Sequence, residues 1–359
     1  MRSLFGLLIF AIALSACGGT PASAPAPTAA PAAEPTAAPA NAEPIIIAWL
    51  PNESGADLKD ARDAFGAVIS EALGRPVEHR VTTDYIIAIE AVANNNAHVA
   101  FFGAEAYVQA REKNASVVPL VIPSGADGTA ATAVYYSWLA VNRGEESNYQ
   151  ANGTYAIDNI QGKRFSFVSN SSTSGFRVPS ANIIKYFSTQ EKWATLTSDD
   201  LIEGGSDTFF SDVQFGGSHQ GSAVNLISGK VDVASFCDAC VSNYVTLVEG
   251  TENTAGAVYR VNDNADEPFT QYAGKEFVLI SSTPVLNAPF VANGSMLSAE
   301  EIKKLQDVMS SDTVANNTKI FATKEVIDAG YRPLLRKTKD ERFIVVEDSF
   351  FDPIRTLAK

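Results

Sequence analysis

The sequence predicts an α/β fold built on mostly parallel sheet, and three observations carry that prediction. Short apolar runs alternate along the chain with stretches of helical length, the order that βαβ units require. The first of those runs, Ile45-Ile46-Ile47-Ala48-Trp49-Leu50, is continuous rather than alternating, as a strand covered on both faces must be. Apolar residues make up 46% of the 359 positions, enough to fill the cores of two lobes of ordinary size.

Taken in order, Pro51 closes the first strand, and Asp57 to Leu73 reads as a helix stopping at Gly74 with Pro76 just beyond. Val77 to Thr82 supplies a second strand, and Thr83-Asp84 caps a helix over Tyr85 to Ala93. Ala97 to Phe102 is a third strand, followed by Gly103-Ala104-Glu105 opening another helix and by strand-like Val117 to Ile122. Val134 to Val141 is a long β-rich run broken at Asn142-Arg143-Gly144. A second α/β unit begins with Lys163 to Val168 and continues through a helix to about Phe187. Phe209 to Phe215, a helix from Gln220 to Leu226, and Val231 to Phe236 complete that unit. Glu276 to Ser282 is another long strand. Ser298-Ala299-Glu300-Glu301 is a capping box opening a helix to about Ser310, and a last helix falls near Asp348 to Leu357.

Between Val168 and the helix that follows lies Ser169-Asn170-Ser171-Ser172-Thr173-Ser174-Gly175. A strand that passes into a helix through Ser and Thr leaves backbone N–H groups unpaired at the helix start. The helix dipole adds partial positive charge there, so a small anion can be held without Lys or Arg. A single such residue serves as a helix cap. This run exceeds what a cap requires.

In open α/β sheets ligands gather at the carboxyl ends of strands. That rule selects Pro51-Asn52-Glu53, Thr83-Asp84-Tyr85 and Phe102-Gly103-Ala104 in the first half of the chain. Tyr85 either packs on its own helix or turns its hydroxyl to the cleft. His219, in Gly216-Gly217-Ser218-His219-Gln220, sits at a similar handover and is open to a structural or a binding role.

The formal charge of −14 argues against nucleic acid and against an electrostatic grip on an anionic membrane. It also rules out long-range steering of an anion, so an anion site here must act through short-range donors. The chain meets a membrane by another route. Arg2, the apolar run Leu4 to Leu14, and then Leu14-Ser15-Ala16-Cys17-Gly18 form a secretory signal too short to span a bilayer. The small residues before Cys17 resemble the lipobox of bacterial lipoproteins, which implies removal of residues 1–16 and acylation of Cys17. Residues 17–43 are rich in Pro and Ala and read as an extended tether. No later segment reads as a transmembrane span.

With Cys17 assigned to lipid, Cys237 and Cys240 remain as Cys-Asp-Ala-Cys. A short-loop disulfide suits an oxidising compartment; a thioredoxin-like redox pair lacks a second signature. Zinc needs further ligands, and His79, His98 and His219 are the whole histidine complement. No metal or cofactor is expected.

From Ile45 to about Asn293 the chain resembles the phosphate/phosphite/phosphonate-binding family of ABC-transporter substrate-binding proteins, of the phosphonate-binding type. The resemblance is carried by Trp49-Leu50-Pro51-Asn52-Glu53, Leu73-Gly74-Arg75-Pro76-Val77, Thr83-Asp84-Tyr85, Val99-Ala100-Phe101-Phe102-Gly103 and above all Ser172-Thr173-Ser174-Gly175-Phe176 with Val178-Pro179. Gly217-Ser218-His219 and Gly229-Lys230-Val231-Asp232-Val233 continue it.

The resemblance implies a type II periplasmic-binding fold, two α/β lobes around a ligand cleft, with crossing strands near Trp138–Arg143 and Val278–Thr283. On that pattern residues 44–140 and 281–359 form lobe 1 and residues 141–280 form lobe 2. Tyr85, Tyr135, Ser172, Thr173, Ser174 and His219 are then implied to line the cleft, the N–H groups of Thr173 to Gly175 and the hydroxyls holding the oxygens of a phosphonyl group. His219 adds a hydrogen bond, charge-assisted when protonated. Asp238 stands where relatives that take aminoalkylphosphonates place one acid. Where they place a second, this chain has Asn287-Ala288, which favours a simpler oxyanion such as phosphite, phosphate or methylphosphonate.

The expectation is a monomeric extracytoplasmic receptor, anchored by lipid and serving an ABC permease. The alternative is a sensing lipoprotein on the same fold that reports to a membrane receptor, or one that binds a different small ligand. An enzyme, for example a hydrolase using Ser172 or Ser174 with His219, is not expected, because the chain has no Gly-x-Ser-x-Gly elbow and a Ser at a helix N-cap is poorly placed for deprotonation.

Overall fold

The computed structural model describes residues 43–358. The signal segment, Cys17 and nearly all of the tether lie outside the described residues. No helix among the described residues is long and apolar enough to cross a membrane.

The main strands are β1 (Ile45–Trp49), β2 (Val77–Val81), β3 (Val99–Phe101), β4 (Val117–Pro123), β5 (Val134–Asn142), β6 (Arg164–Phe167), β7 (Asp212–Phe215), β8 (Val233–Cys237), β9 (Val245–Glu249), β10 (Val258–Val261), β11 (Glu276–Leu286), β12 (Phe290–Asn293) and β13 (Phe343–Ile344). The helices that matter for the site are α1 (Lys59–Leu73), α2 (Tyr85–Ala93), α3 (Ala104–Lys113), α4 (Val178–Phe187), α5 (His219–Ile227), α6 (Asp238–Val241) and α7 (Ala299–Met309).

Two mixed sheets organise the body. The first has the order β13-β4-β12-β3-β1-β2, with β1 parallel to both β2 and β3 and β12 antiparallel to its neighbours. The alternation of side chains along β1 explains its unbroken apolar sequence. Ile45, Ile47 and Trp49 pack with Phe65 and Ile69 of α1 and with Leu305 and Met309 of α7. Ala48 and Leu50 pack on the opposite face with Ala88, Ile89 and Val92 of α2 and Tyr107 of α3. Helices cover both faces, so every second residue finds a core on either side.

The second sheet runs β9-β10-β11-β5-β8-β6-β7. Phe165, Phe167, Leu139, Val141, Val278 and Ile280 form one core with Phe187 of α4. Trp138, Ala140, Phe236, Phe277 and Leu279 form another with Leu226 of α5. Each fully buried Phe contributes on the order of 2 kcal/mol by removal from water.

The longest pairing, β5 with β11, is antiparallel from Asn142 opposite Phe277 to Val134 opposite Leu286, with a bulge between Leu279 and Ser281. These two strands pass between the cores. Tyr135, Val285 and Leu286 pack with the first sheet, whereas Leu139, Val141, Val278 and Ile280 pack with the second. The crossing strands therefore begin several residues earlier on β5, and end later on β11, than the sequence pattern marks.

Three local differences have simple causes. The helix expected from Asp57 starts at Lys59, after two 3-10 turns at Pro51–Glu53 and Ala56–Leu58. The strand expected from Phe209 is limited to β7 because Phe209 and Phe210 turn inward against Phe187 and Phe165. The helix after the Ser/Thr run begins at Thr173, as a wide π-type turn over Thr173–Arg177 that leads into α4. Pro179 is accepted at the junction because the carbonyls its missing N–H would have met, those of Ser174 and Gly175, accept from the hydroxyls of Ser137 and Ser235 instead.

Candidate anion-binding site

The Ser/Thr run sits at the carboxyl end of β6, and its conformation follows from neighbouring chemistry. Ser172 has extended backbone and its Oγ accepts from the Gly175 N–H at 3.1 Å. Ser137 donates to the Ser174 carbonyl at 2.6 Å and Ser235 donates to the Gly175 carbonyl at 2.8 Å. A Cβ on Gly175 would lie 2.2 Å from Cγ2 of Val168, so the loop packs this tightly only with glycine. The Gly175 N–H is consumed by the cap, which leaves the N–H groups of Thr173 and Ser174, the first two residues of the turn, without an intrahelical acceptor. Ser174 is 1% exposed and its Oγ has no hydrogen-bond partner, an arrangement that costs about 1–3 kcal/mol unless something fills it.

The predicted tyrosines and histidine converge on this run. Tyr85, at the start of α2 behind an Asp84 cap, is buried. Its hydroxyl accepts from Asn52 Nδ2 at 2.6 Å and lies beside Ser172. The hydroxyl of Tyr135 faces Ser174 and Thr173, and burial pushes its pKa up to about 12. Tyr136, on the other face of β5, packs with the Trp138 core instead. Both phenols are therefore neutral donors.

His219 opens α5 behind the Ser218 cap. Its Nδ1 accepts from the Cys237 N–H at 3.0 Å, and Nε2 stands 3.4 Å from Ser172 Oγ. An acceptor at Nδ1 places the ring's single proton on Nε2, pointing at the Ser/Thr run. Burial lowers the His219 pKa to about 3. The ring is thus neutral, and the charge-assisted bond considered from sequence gives way to an ordinary donor.

Asp238 lies in the cavity wall rather than on the Ser/Thr run. Its Oδ1 accepts from the Tyr136 N–H at 2.8 Å, and burial raises its pKa to about 6. Cys237 and Cys240 on either side are joined by a disulfide with Cα atoms 5.3 Å apart. His219 and these sulfurs lie within 4.8 Å of one another, but disulfide sulfurs offer no thiolate to a metal. Asn287 donates to the Pro123 carbonyl at 2.9 Å, so the amide that replaces a second acid is tied to the backbone.

Two residues outside the predicted set bind the cleft together. Asn52 Oδ1 accepts from the His219 N–H at 3.1 Å, and the Asn52 carbonyl accepts from Gln220 Nε2 at 3.1 Å. Asn52 follows β1 while His219 and Gln220 begin α5, so these bonds cross the cleft. The strand-end rule reaches the segment containing Asn52; its role as a cross-lobe bridge has no signature in sequence. A second crossing joins the Glu105 N–H to Thr173 Oγ1 at 2.9 Å, beside the buried Arg177–Glu105 ion pair at 3.4 Å.

These residues make a buried cradle of neutral donors, bridged across the cleft by the Asn52 and Thr173 contacts. Such a cradle suits an oxyanion with three outward oxygens, since several preformed donors meet it without the desolvation cost of a buried Lys or Arg.

The chain belongs to the family described as "ABC transporter, phosphonate, periplasmic substrate-binding protein", whose model matches residues 47–349. It is 28% identical over 235 residues to the phosphate-import protein PhnD of Mycolicibacterium smegmatis, covering 62% of this chain and 67% of that one. Among solved structures, PhnD1 of Prochlorococcus marinus in complex with methylphosphonate is similar with a TM-score of 0.57 and 17% identity, over 87% of this chain and 96% of that one. A binding-protein component of an ABC phosphonate transporter from Pseudomonas aeruginosa is similar with a TM-score of 0.60 and 19% identity, over 87% and 84% of the two chains. At those identities the structural likeness establishes the type II periplasmic-binding fold.

Proposed function

We propose that this chain is a lipid-anchored extracytoplasmic receptor that closes on a small phosphorus oxyanion and delivers it to the permease of an ABC importer. The observation that carries the reading is the buried, unpartnered Ser174 hydroxyl beside the free N–H groups of Thr173 and Ser174. Tyr85, Tyr135 and the Nε2–H of His219 are aimed at the same run. Ser172, Thr173 and Ser174 hold the oxygens, the tyrosines close over them, and Asp238 shapes the far wall. The hinge lies in the paired strands β5 and β11. The Leu14-Ser15-Ala16-Cys17 sequence supports the lipid anchor. No step of this scheme is catalytic.

The engaged amide of Asn287 and the Tyr136-bonded Asp238 favour phosphate, phosphite or methylphosphonate over a ligand with an ammonium end. A thermal-shift panel with these three, aminoethylphosphonate and sulfate tests the reading. A ligand present at a hundredfold its Kd adds about 2.7 kcal/mol to stability. A shift with at least one of the three simple phosphorus oxyanions is expected; no shift with any of them overturns the reading.

A further inference from the structure

Glu53 belongs to none of the roles above, yet its side chain borders the same cavity as Tyr85, Ser172 and His219. It sits in the 3-10 turn Pro51–Glu53 next to Asn52, is 9% exposed, and its Oε2 has no hydrogen-bond partner. The natural counter-ion, Arg62 of α1, does not serve it. The Arg62 guanidinium donates instead to the backbone carbonyls of Glu53 and, at 3.0 Å, of Gly55. A buried carboxyl whose neighbouring cation spends its donors on backbone carbonyls, and which keeps one unpartnered oxygen, is expensive as an anion and stable as an acid.

We propose that Glu53 is a ligand-contacting residue of this cleft, placing its carboxyl proton against one oxygen of the bound oxyanion. This rests on the oxyanion reading above and adds to it the protonation state of the complex. As a neutral acid, Glu53 donates an O–H to the ligand; as a carboxylate it would repel it. A dianion meeting the acid form binds without exchange of a proton. A dianion meeting the ionised form binds only after the carboxyl takes one proton from solvent, and that proton is then held between the two groups.

The surroundings isolate this proton. Burial pushes the Glu53 pKa up to about 8, with only partial opposition from its own N–H and from Arg62. From α2 it faces Tyr85, whose pKa burial raises well above the usual phenol range. From α5 comes His219, held near 3. Asp57, which like Glu53 lies close to Arg62, is engaged by the Tyr244 hydroxyl at 3.0 Å. Further along the cavity Tyr135 titrates near 12 and Asp238 near 6. At about pH 9 Glu53 is the group in this set positioned to take up a proton on binding.

Isothermal titration of the purified protein with inorganic phosphate, phosphite and methylphosphonate, in buffers of different ionisation enthalpy, counts that proton. Near pH 9 the wild type is expected to take up about one proton per ligand, with affinity falling about tenfold per pH unit above that point. Glu53→Gln, which keeps a donor, is expected to take up none and to bind with affinity independent of pH in this range. Binding without proton uptake by the wild type, or unchanged uptake by Glu53→Gln, overturns the proposal. The wild-type count decides alone should the variant fail to fold. Failure of all three anions to bind wild type overturns the oxyanion reading itself, and this proposal with it.

Discussion

The hydroxyl of Thr173 accepts a hydrogen bond from the backbone N–H of Glu105 at 2.9 Å, joining the Ser/Thr run at the end of β6 to the start of α3. One side chain therefore belongs both to the anion cradle and to the contact that closes it. Its oxygen accepts from α3, which leaves its own O–H to face the ligand.

Thr173→Val keeps the shape and removes both functions. Affinity for the oxyanion is expected to fall by about 2–3 kcal/mol, or roughly 30–100-fold. The unliganded protein should also lose about 1–3 kcal/mol of stability, because the buried Glu105 N–H is left without its acceptor. Titration calorimetry checks the first quantity and thermal melting the second.

Gly103 tests the same contact from the other lobe. It precedes α3 with ordinary extended backbone, but a Cβ there would lie 2.7 Å from Thr173 Oγ1. Gly103→Ala is expected to weaken binding about tenfold or more by holding the lobes apart, with a matching increase in radius of gyration by solution scattering.

Arg177 and Glu105 form a buried pair, and Arg177 also donates to the carbonyls of Leu357 and Ala358 near the chain's end. Removing one partner strands the other. Arg177→Met should cost about 3–5 kcal/mol in chemical denaturation, and adding Glu105→Gln should restore part of it.

The neutral His219 has a signature in acid. Its folded pKa near 3 lies below the ordinary 6.5, so below about 6.5 the unfolded chain binds a proton that the folded chain refuses. The contribution is intact above that pH and lost progressively as pH falls toward 3. By about pH 5 the loss amounts to roughly 2 kcal/mol. Denaturation of wild type and His219→Gln at several pH values should show the acid-side loss reduced in the variant.

Much of this was legible in the chain itself. The alternation of elements, the cap at Asp84, the capping box at Ser298 and the convergence of apolar β1 on two cores are local properties, written in period and composition. The Ser/Thr run and Gly175 announce a helix start with spare donors for the same reason. What sequence does not carry is pairing across distance. Asn52 reaches His219 over 167 positions, and nothing in either residue names the other. The protonation of His219 and Glu53 is likewise set by burial and by where Arg62 spends its donors. These are properties of the closed molecule.

The most direct test of the central claim is a crystal structure of the protein grown with phosphate, phosphite or methylphosphonate. The account predicts the phosphorus at the start of the Thr173–Arg177 turn, with oxygens within about 3.2 Å of the Thr173 and Ser174 N–H groups and of Ser174 Oγ. Tyr85, Tyr135 and His219 Nε2 should complete the shell. An anion held instead by Arg or Lys side chains elsewhere in the groove, with Ser174 still unpartnered, would contradict it.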